Sequence, residues 1–136
     1  MLIIFDENFP LKIAEGLNTI ESTNHDTILN CTITHPYLLD KGGTLDDDWI
    51  TYAGNNNAII MTFDKDFKDI KAKGRLYHDN KIGVFFFKFE KKEKMYWQIV
   101  KLFVNNFESM KKIILETPRP FVYRITSKGN PERYDF

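Results

Sequence analysis

The stretch AIIMTFDKDF, residues 58–67, passes from an apolar run to a charged Asp-Lys-Asp in a single step. A short apolar run is typical of a strand that is buried on both faces of a parallel sheet. The beginning of the chain repeats this pattern, because LIIF at residues 2–5 is followed directly by Asp-Glu-Asn. We therefore predict two buried strands, Leu2–Phe5 and Ala58–Phe63, each of which ends at a carboxylate.

Outward from these two strands, the apolar pattern predicts further strands that alternate with helices. The longest helix is expected from Glu93 to Glu116, where apolar residues recur every three or four positions. Alternating strands and helices imply right-handed crossovers and a mainly parallel sheet with helices on both faces. The predicted fold class is α/β, a single three-layer domain over residues 1–136 with about five strands. Residues 127–136 are expected to form a flexible tail. The other predicted elements are strands at Ile28–Thr34, Ile82–Phe89 and Phe121–Thr126, helices that begin near Pro10 and Asp46, and a weaker helix at Asp66–Lys73.

The formal net charge of zero conceals a strong asymmetry between the two halves of the chain. Residues 1–64 hold ten acids and two bases, a net charge of −8. Residues 65–136 hold nine acids and seventeen bases, a net charge of +8. A split of this kind indicates a charged partner, so the balanced total does not exclude a nucleic acid.

Cysteine content and hydropathy limit the compartment in which the chain is expected to work. The single cysteine, Cys31, cannot form an intramolecular disulfide, and its apolar surroundings predict a small core residue in a reducing compartment. The N-terminus lacks the basic region of a signal peptide. No apolar stretch approaches the roughly 20 residues of a membrane-spanning helix. We therefore expect a cytoplasmic domain without membrane contact.

Acidic residues follow the first and third predicted strands, and another acidic group begins the helix before the third strand. If the sheet is parallel, Asp6, Asp64 and the run Asp46–Asp48 converge on one edge. Like charges at one place need a cation or a proton, and oxygen ligands without Cys or His suit Mg²⁺ or Mn²⁺. Asp46–Asp48 and Asp66 are equally well explained as helix caps. Asp6 and Asp64 are harder to explain otherwise, because a carboxylate beside a buried strand is costly without a partner.

Five sequence motifs resemble the minimal PIN-like nuclease domains, including the toxins of VapC-like toxin–antitoxin systems. The most specific part is the run from Asp46 to Phe67, where an acid opens a helix and the next strand ends in Thr-x-Asp-x-Asp-Phe. The motifs are FDENFP at residues 5–10, NHDTI at 24–28, GGTLDDDWITYA at 42–53, AIIMTFDKDF at 58–67 and, as a weaker echo, PFVYRIT at 120–126.

The resemblance implies a Mg²⁺- or Mn²⁺-dependent endoribonuclease whose partners are RNA and a protein antitoxin. Full-length PIN domains carry a further glutamate on a helical insert, for which the distance from Asp6 to Asp46 leaves little room. The positions that match the family pattern are Asp6, Asp46 and Asp64 as catalytic metal ligands, Asp66 as an auxiliary catalytic acid, and Asn8 and Thr62 as supporting residues.

Basic residues lie close to the acidic motif in the sequence and are candidates for RNA contact. Lys68, Lys71 and Arg75 come directly after the motif, and Arg124 lies late in the fifth predicted strand. A phosphate backbone beside a carboxylate-rich metal site needs such cations, although surface lysines are also ordinary solubility chemistry. The three histidines are interpreted as structural or solvated. An exposed aromatic surface would favour a homodimer or antitoxin docking.

Three other functions are compatible with the same residues. A degenerate PIN-like module would bind RNA or protein without cleavage, and the missing glutamate keeps this alternative open. A phosphatase of the haloacid-dehalogenase type would use Asp64 as a nucleophile, but Phe67 stands where a small hydroxylated residue would be expected. A receiver-like domain would need a lysine after its last strand, and none has a clear counterpart.

Overall fold

Helices and strands alternate along the chain, and the order ends with one additional strand. The computed structural model describes residues 1–39, 46–63, 67–89 and 96–135, without the side chains of residues 46–47 and 67–71. A short 3₁₀ helix at Pro36–Leu39 follows the second strand. The strands are β1 (Leu2–Phe5), β2 (Thr32–Thr34), β3 (Ile59–Phe63), β4 (Gly83–Phe87), β5 (Phe121–Ile125) and β6 (Glu132–Tyr134), and the helices are α1 (Leu11–Ser22), α2 (Asp46–Asn55), α3 (Phe67–Asp79) and α4 (Tyr96–Glu116).

The described strands form one sheet in the order β2-β1-β3-β4-β5-β6. β1 to β5 are mutually parallel, and only the pairing of β5 with β6 is antiparallel. Every residue of β3 and β4 is buried, as expected for strands that are covered on both faces. The prediction of a mainly parallel α/β sheet is confirmed.

Side chains alternate between two apolar cores, one on each face of the sheet. Phe5, Phe63 and Phe87 point to the face that α1 and α4 cover. Ile60 and Phe86 point to the other face, which α2 and α3 cover. The protein therefore has the three layers that the sequence predicted.

The crossover through α4 differs in hand from the other crossovers. The connections β3-α3-β4 and β4-α4-β5 step in the same direction across the sheet, but α3 and α4 lie on opposite faces. The expectation that all crossovers share the usual right hand is therefore wrong, because two crossovers of opposite hand cannot both be right-handed. A physical reason lies in α4 itself, whose side chain Phe103 packs against Phe5 and Phe87 at ring-centroid distances of 5.5 and 6.4 Å. Burying this apolar stripe outweighs the preference for one hand.

The second strand is shorter than predicted. The sequence predicted Ile28–Thr34, whereas β2 spans only Thr32–Thr34 and Ile28 is 60% exposed. Thr27 Oγ1 lies 3.1 Å from the Leu29 carbonyl and 3.4 Å from the Leu29 amide nitrogen, so this segment is a local turn. Side-chain hydrogen bonds of this kind compete with a strand ladder, which β-branched composition alone does not reveal.

The ends of two other elements differ from the predicted ends. The prediction that the third helix ends at Lys73 is too short, because α3 continues to Asp79 and buries Tyr77. The strand predicted to end at Phe89 ends at Phe87. β6 lies in the segment expected to be a tail, and no strand was predicted there. Among the residues described, no helix is both long and apolar enough to cross a membrane.

A buried ion pair ties α4 to α1. Lys111 Nζ lies 2.6 Å from Glu21 Oε2, and both side chains are at most 5% exposed. The ammonium also donates to Thr27 Oγ1 at 2.6 Å and lies 4.4 Å from the centre of the Phe107 ring. Cys31 is buried nearby, as predicted, and desolvation raises the pKa of its thiol to about 11.

Replacing Gly83 by alanine is expected to destabilise the fold by about 1–3 kcal/mol, the usual range for overpacking. A Cβ atom at Gly83 would lie 2.4 Å from Phe121 Cζ and 2.8 Å from Ile59 Cδ1. Gly16, in the exposed part of α1, is the matched control, because a Cβ there meets nothing within 4 Å. Gly16→Ala should stabilise the protein by up to about 1 kcal/mol. Urea denaturation of the two variants measures both effects, and equal stabilities would contradict the expected contact.

Candidate functional site at the carboxyl edge of the sheet

The carboxyl ends of β1 and β3 form a point at which neighbouring strands lead to opposite helical layers. α1 follows β1 on one face of the sheet, whereas α3 follows β3 on the other. In open α/β sheets, ligands bind where neighbouring strands lead to opposite faces. Asp6 lies at this point, and its backbone N–H donates to the Met61 carbonyl on β3 at 2.9 Å.

The carboxylate of Asp6 is buried and is held by two neutral donors. Asp6 is only 4% exposed. The Thr62 hydroxyl donates to Oδ2, and the Asn8 backbone N–H donates to Oδ1 at 2.9 Å. Burial raises the pKa of Asp6, an effect that these hydrogen bonds and the positive charge of Lys73 partly oppose. The protein thus fixes the orientation of this carboxylate, but burial makes its ionised form energetically unfavourable.

The loop after Asp6 is fixed by Phe9 and by a buried histidine. The Phe9 ring stacks on Phe63 with a centroid distance of 3.9 Å. His35 Nε2 lies 2.9 Å from the Phe9 carbonyl, and Nδ1 accepts the Tyr37 backbone N–H at 3.2 Å. Because Nδ1 is an acceptor, Nε2 is assigned the proton that it donates to Phe9. His35 therefore has a structural role, in agreement with its interpretation from the sequence.

Several predicted acids fall where the structure gives no side-chain geometry. Asp64 and Asp66 lie outside the described residues. Asp46 begins α2, but its side chain is also outside the description. Asp48, two positions later, is exposed. Within the described part of the chain, no three His, Cys, Asp or Glu side chains lie together as a metal-binding group.

The supporting residues contact Asp6 in two different ways. Thr62 reaches the carboxylate through its side chain. Asn8 contacts the carboxylate through its backbone N–H. Asn8 is exposed, and its side chain takes no part in this hydrogen bond. A short polar residue two positions after an acid suits such a turn, in which the acid accepts the N–H of residue i+2.

The predicted RNA-binding cations occupy different environments. Lys68 and Lys71 lie on α3, and their side chains are outside the description. Arg75, with a side chain 94% exposed, lies 3.7 Å from Asp79. Arg124 donates to Glu132 Oε2 at 2.6 Å across the β5–β6 pair. Its guanidinium is therefore already engaged within the protein.

Lys73 is a candidate residue that the sequence reasoning missed. Its positive charge lowers the pKa of Asp6, in opposition to the larger effect of burial, so Lys73 belongs to the electrostatic surroundings of the site. The sequence shows only that Lys73 precedes Tyr77 by four positions and so lies on the same side of α3. That this side faces inward is known from the burial of Tyr77 in the structure. Lys68 and Lys71 lie nearer to the acidic motif in the sequence, which is why the sequence predicts them instead.

The chemistry of the Asp6 environment fits a hard cation. Its described neighbours are oxygen and N–H groups, and no thiolate or imidazole nitrogen contacts the carboxylate among the described side chains. Mg²⁺ and Mn²⁺ prefer carboxylate and other oxygen ligands. A cation next to Asp6 would also offset the cost of its buried charge.

Comparison with known protein families gives a match to the part of the chain that contains β1 to β4. The family model described as PIN like domain matches residues 1–89, which is 89 of the 136 residues of the chain. Comparison with curated proteins and with solved structures gave no match. The matched segment contains Asp6, Thr62 and Lys73 and ends two residues after β4. The chain therefore belongs to the PIN-like domain family.

Proposed function

We propose that this protein is a metal-dependent endoribonuclease that hydrolyses RNA at the carboxyl ends of β1 and β3. The observation that carries the proposal is the buried, oriented Asp6 carboxylate at this point of the sheet. The resemblance of the acidic motifs and the family match support a nuclease-type fold. Asp6, Asp46 and Asp64 are the proposed ligands of Mg²⁺ or Mn²⁺, with Asp66 as an auxiliary acid.

The chain's own residues would prepare this metal-assisted reaction in two ways. A bound Mg²⁺ or Mn²⁺ supplies charge stabilisation and an activated water. Thr62 and Asn8 hold the Asp6 carboxylate in one orientation, so little reorganisation is needed when a ligand binds. Lys73 places a positive charge near Asp6, where it would attract a phosphate group.

The toxin assignment rests on the resemblance to VapC-like proteins. Under this proposal the protein acts in the cytoplasm, and a small antitoxin protein holds its activity in check. Tyr37 and Leu38, which are 57% and 47% exposed, lie just after β2 at the same edge of the sheet and are candidate contacts for an antitoxin or for a second copy. Co-expression with the product of an adjacent small reading frame tests this partner, since relief of growth inhibition is the expected result.

Removal of the metal is expected to abolish RNA cleavage. Purified protein should cleave an unstructured RNA with Mg²⁺ or Mn²⁺, and EDTA should stop the reaction because the carboxylates alone supply no activated water. Adding excess Mg²⁺ back to the EDTA-treated sample should restore cleavage, which controls for irreversible unfolding. Cleavage by the purified protein that persists in EDTA would contradict the metal-dependent assignment.

A degenerate binding module is the second candidate function. It is favoured by the short segment between Asp6 and Asp46, which leaves little room for the additional family glutamate. In that case RNA would bind but would remain intact with either metal. An aspartate-based phosphatase is the third candidate, and covalent trapping of phosphate on Asp64 would be its signature.

A further inference from the structure

We infer that a second site, a cleft between α4 and the carboxyl ends of β4 and β5, binds the phosphate backbone of single-stranded RNA. This inference rests on the proposed ribonuclease function, because it concerns the path of the same substrate. The cleft has a volume of about 460 Å³. Most of its lining comes from residues after position 89, beyond the segment that the family model matches.

The chemistry of the cleft suits an anion. Lys88, directly after β4, and Lys101, on α4, bring positive charge to two walls. Gln98 and Asn105 add carboxamide groups, and Ser127 adds a hydroxyl. None of the described residues that line the cleft is acidic. Lysine, amide and hydroxyl groups are the usual protein donors to phosphate oxygens.

The position of the cleft connects it with the candidate active site. The Lys88 backbone N–H donates to the Ile125 carbonyl at 3.0 Å, which joins the ends of β4 and β5. In the sheet order, β3 and β4 separate the strand that carries Asp6 from β5. At roughly 4.8 Å per strand spacing, Asp6 and the cleft are separated by about 10–14 Å along one edge. A polynucleotide can contact both places, whereas a single phosphate group cannot.

The sheet topology also relates the two places to each other. α3 lies on one face of the sheet and α4 on the other, so the carboxyl ends of β3 and β4 form a second point where neighbouring strands lead to opposite faces. In open α/β sheets, ligands bind outside the carboxyl ends of the strands at such points. The strand β3, which carries Thr62, is therefore shared by two adjacent points of this kind.

An exposed tryptophan beside the cleft favours an unpaired strand over a duplex. Trp97 is 73% exposed and precedes Lys101 by four residues on α4, so the two side chains are neighbours on the helix surface. Aromatic side chains beside a cationic groove stack on unpaired bases with little regard for sequence. In a duplex the bases are already stacked on each other, so Trp97 would gain no such contact.

The test measures binding separately from cleavage. Fluorescence anisotropy of a labelled single-stranded RNA of about 16 nucleotides, a length within the range of single-strand binding sites, is recorded in EDTA at several salt concentrations. The full chain is compared with Lys88→Ala/Lys101→Ala and with Trp97→Ala. The charge-matched control is Lys81→Asn/Lys112→Ala, because both lysines are exposed and neither lines the cleft. The control for Trp97 is Leu115→Ala, at an exposed apolar position near the end of α4.

The expected result has three parts. The double cleft variant should reduce the slope of log affinity against log salt by about 1.4, which corresponds to two phosphate contacts on a single strand. Trp97→Ala should weaken binding by about 5- to 100-fold. Lys88→Arg/Lys101→Arg should retain the affinity, which shows that charge and not misfolding is responsible.

Two outcomes would overturn the inference, and neither depends on catalysis. If the control pair lowers the salt slope as much as the cleft pair, only general charge is involved. Equal affinity of the double cleft variant and the unmodified protein would also exclude the cleft. Binding through the cleft without cleavage would refute the ribonuclease proposal alone, and cleavage without any cleft effect would refute this inference alone.

Discussion

Replacing Asp6 by asparagine is expected to lower metal-dependent RNA cleavage on the order of a hundredfold or more. A metal ligand contributes several kcal/mol to charge stabilisation in such reactions, and about 1.4 kcal/mol corresponds to a factor of ten in rate. The variant should fold, because asparagine has nearly the same shape and can keep both neighbours. Its side-chain oxygen can accept from the Asn8 N–H, and its NH₂ group can donate to the Thr62 hydroxyl.

Without metal, Asp6→Asn should be more stable than the unmodified protein at neutral pH. Burial raises the pKa of Asp6 above the ordinary value of 3.8, so ionisation is less favourable in the folded chain than in the unfolded chain. The stability that Asp6 contributes is therefore complete below pH 3.8 and is lost as the pH rises through the raised pKa. Asparagine does not titrate, so the stability difference between the two proteins should grow from acid to neutral pH.

Urea denaturation at several pH values in EDTA measures this difference, and initial cleavage rates in Mn²⁺ measure the catalytic loss. Asp26→Asn is the matched control, because Asp26 is exposed in the loop before β2. It should change neither quantity appreciably. An Asp6→Asn variant that cleaves RNA at the normal rate would remove Asp6 from the proposed metal site.

Replacing Lys111 by methionine is expected to destabilise the protein by about 3–5 kcal/mol, the usual cost of leaving a buried charge without its partner. Glu21 is only 7% exposed, and its Oε2 atom lies 2.6 Å from Lys111 Nζ. Methionine would fill a similar volume beside Phe107 but would offer Glu21 no donor. The free energy of unfolding from urea titration is the measurement.

The double variant Glu21→Leu/Lys111→Met separates the cost of an unpaired charge from a loss of packing. Replacement of both partners by apolar residues is often neutral or stabilising, so the double variant should recover most of the loss. Lys112→Met is the control at the next, exposed position. A double variant that is less stable than Lys111→Met alone would contradict this account. The pair would then stabilise the fold through its packing or through the hydrogen bond from Lys111 to Thr27, and not through charge balance.

Most of the architecture was predictable because each buried strand carries a strong local signal. The strands β3 and β4 are largely apolar runs of five residues that are buried on both faces. A run of this kind identifies a buried strand directly from the sequence. The strand β2 was overestimated because Thr27 forms side-chain hydrogen bonds that its β propensity does not indicate. The strand β6 was missed because a short polar edge strand, Glu-Arg-Tyr, has no apolar pattern of its own.

The candidate site was predictable only in part. That Asp6 lies at the carboxyl edge of the sheet follows from its place after β1, and the partnership with Thr62 follows from parallel pairing of β1 and β3. The influence of Lys73 depends on the rotation of α3 about its axis, which is a tertiary property. The cleft beside Lys101 depends on the face that α4 covers, and no local pattern determines the hand of that crossover.

The position of α4 has a consequence for how this chain can be divided. The family match ends shortly after β4, yet the face that carries Phe5 and Phe87 is covered largely by α4 through residues such as Phe103. A fragment that stopped at the end of the match would present this aromatic surface to water. The end of the family match is therefore not the end of a unit that could fold on its own. Excision or domain fusion would have to keep residues 1–89 together with the helix that closes them.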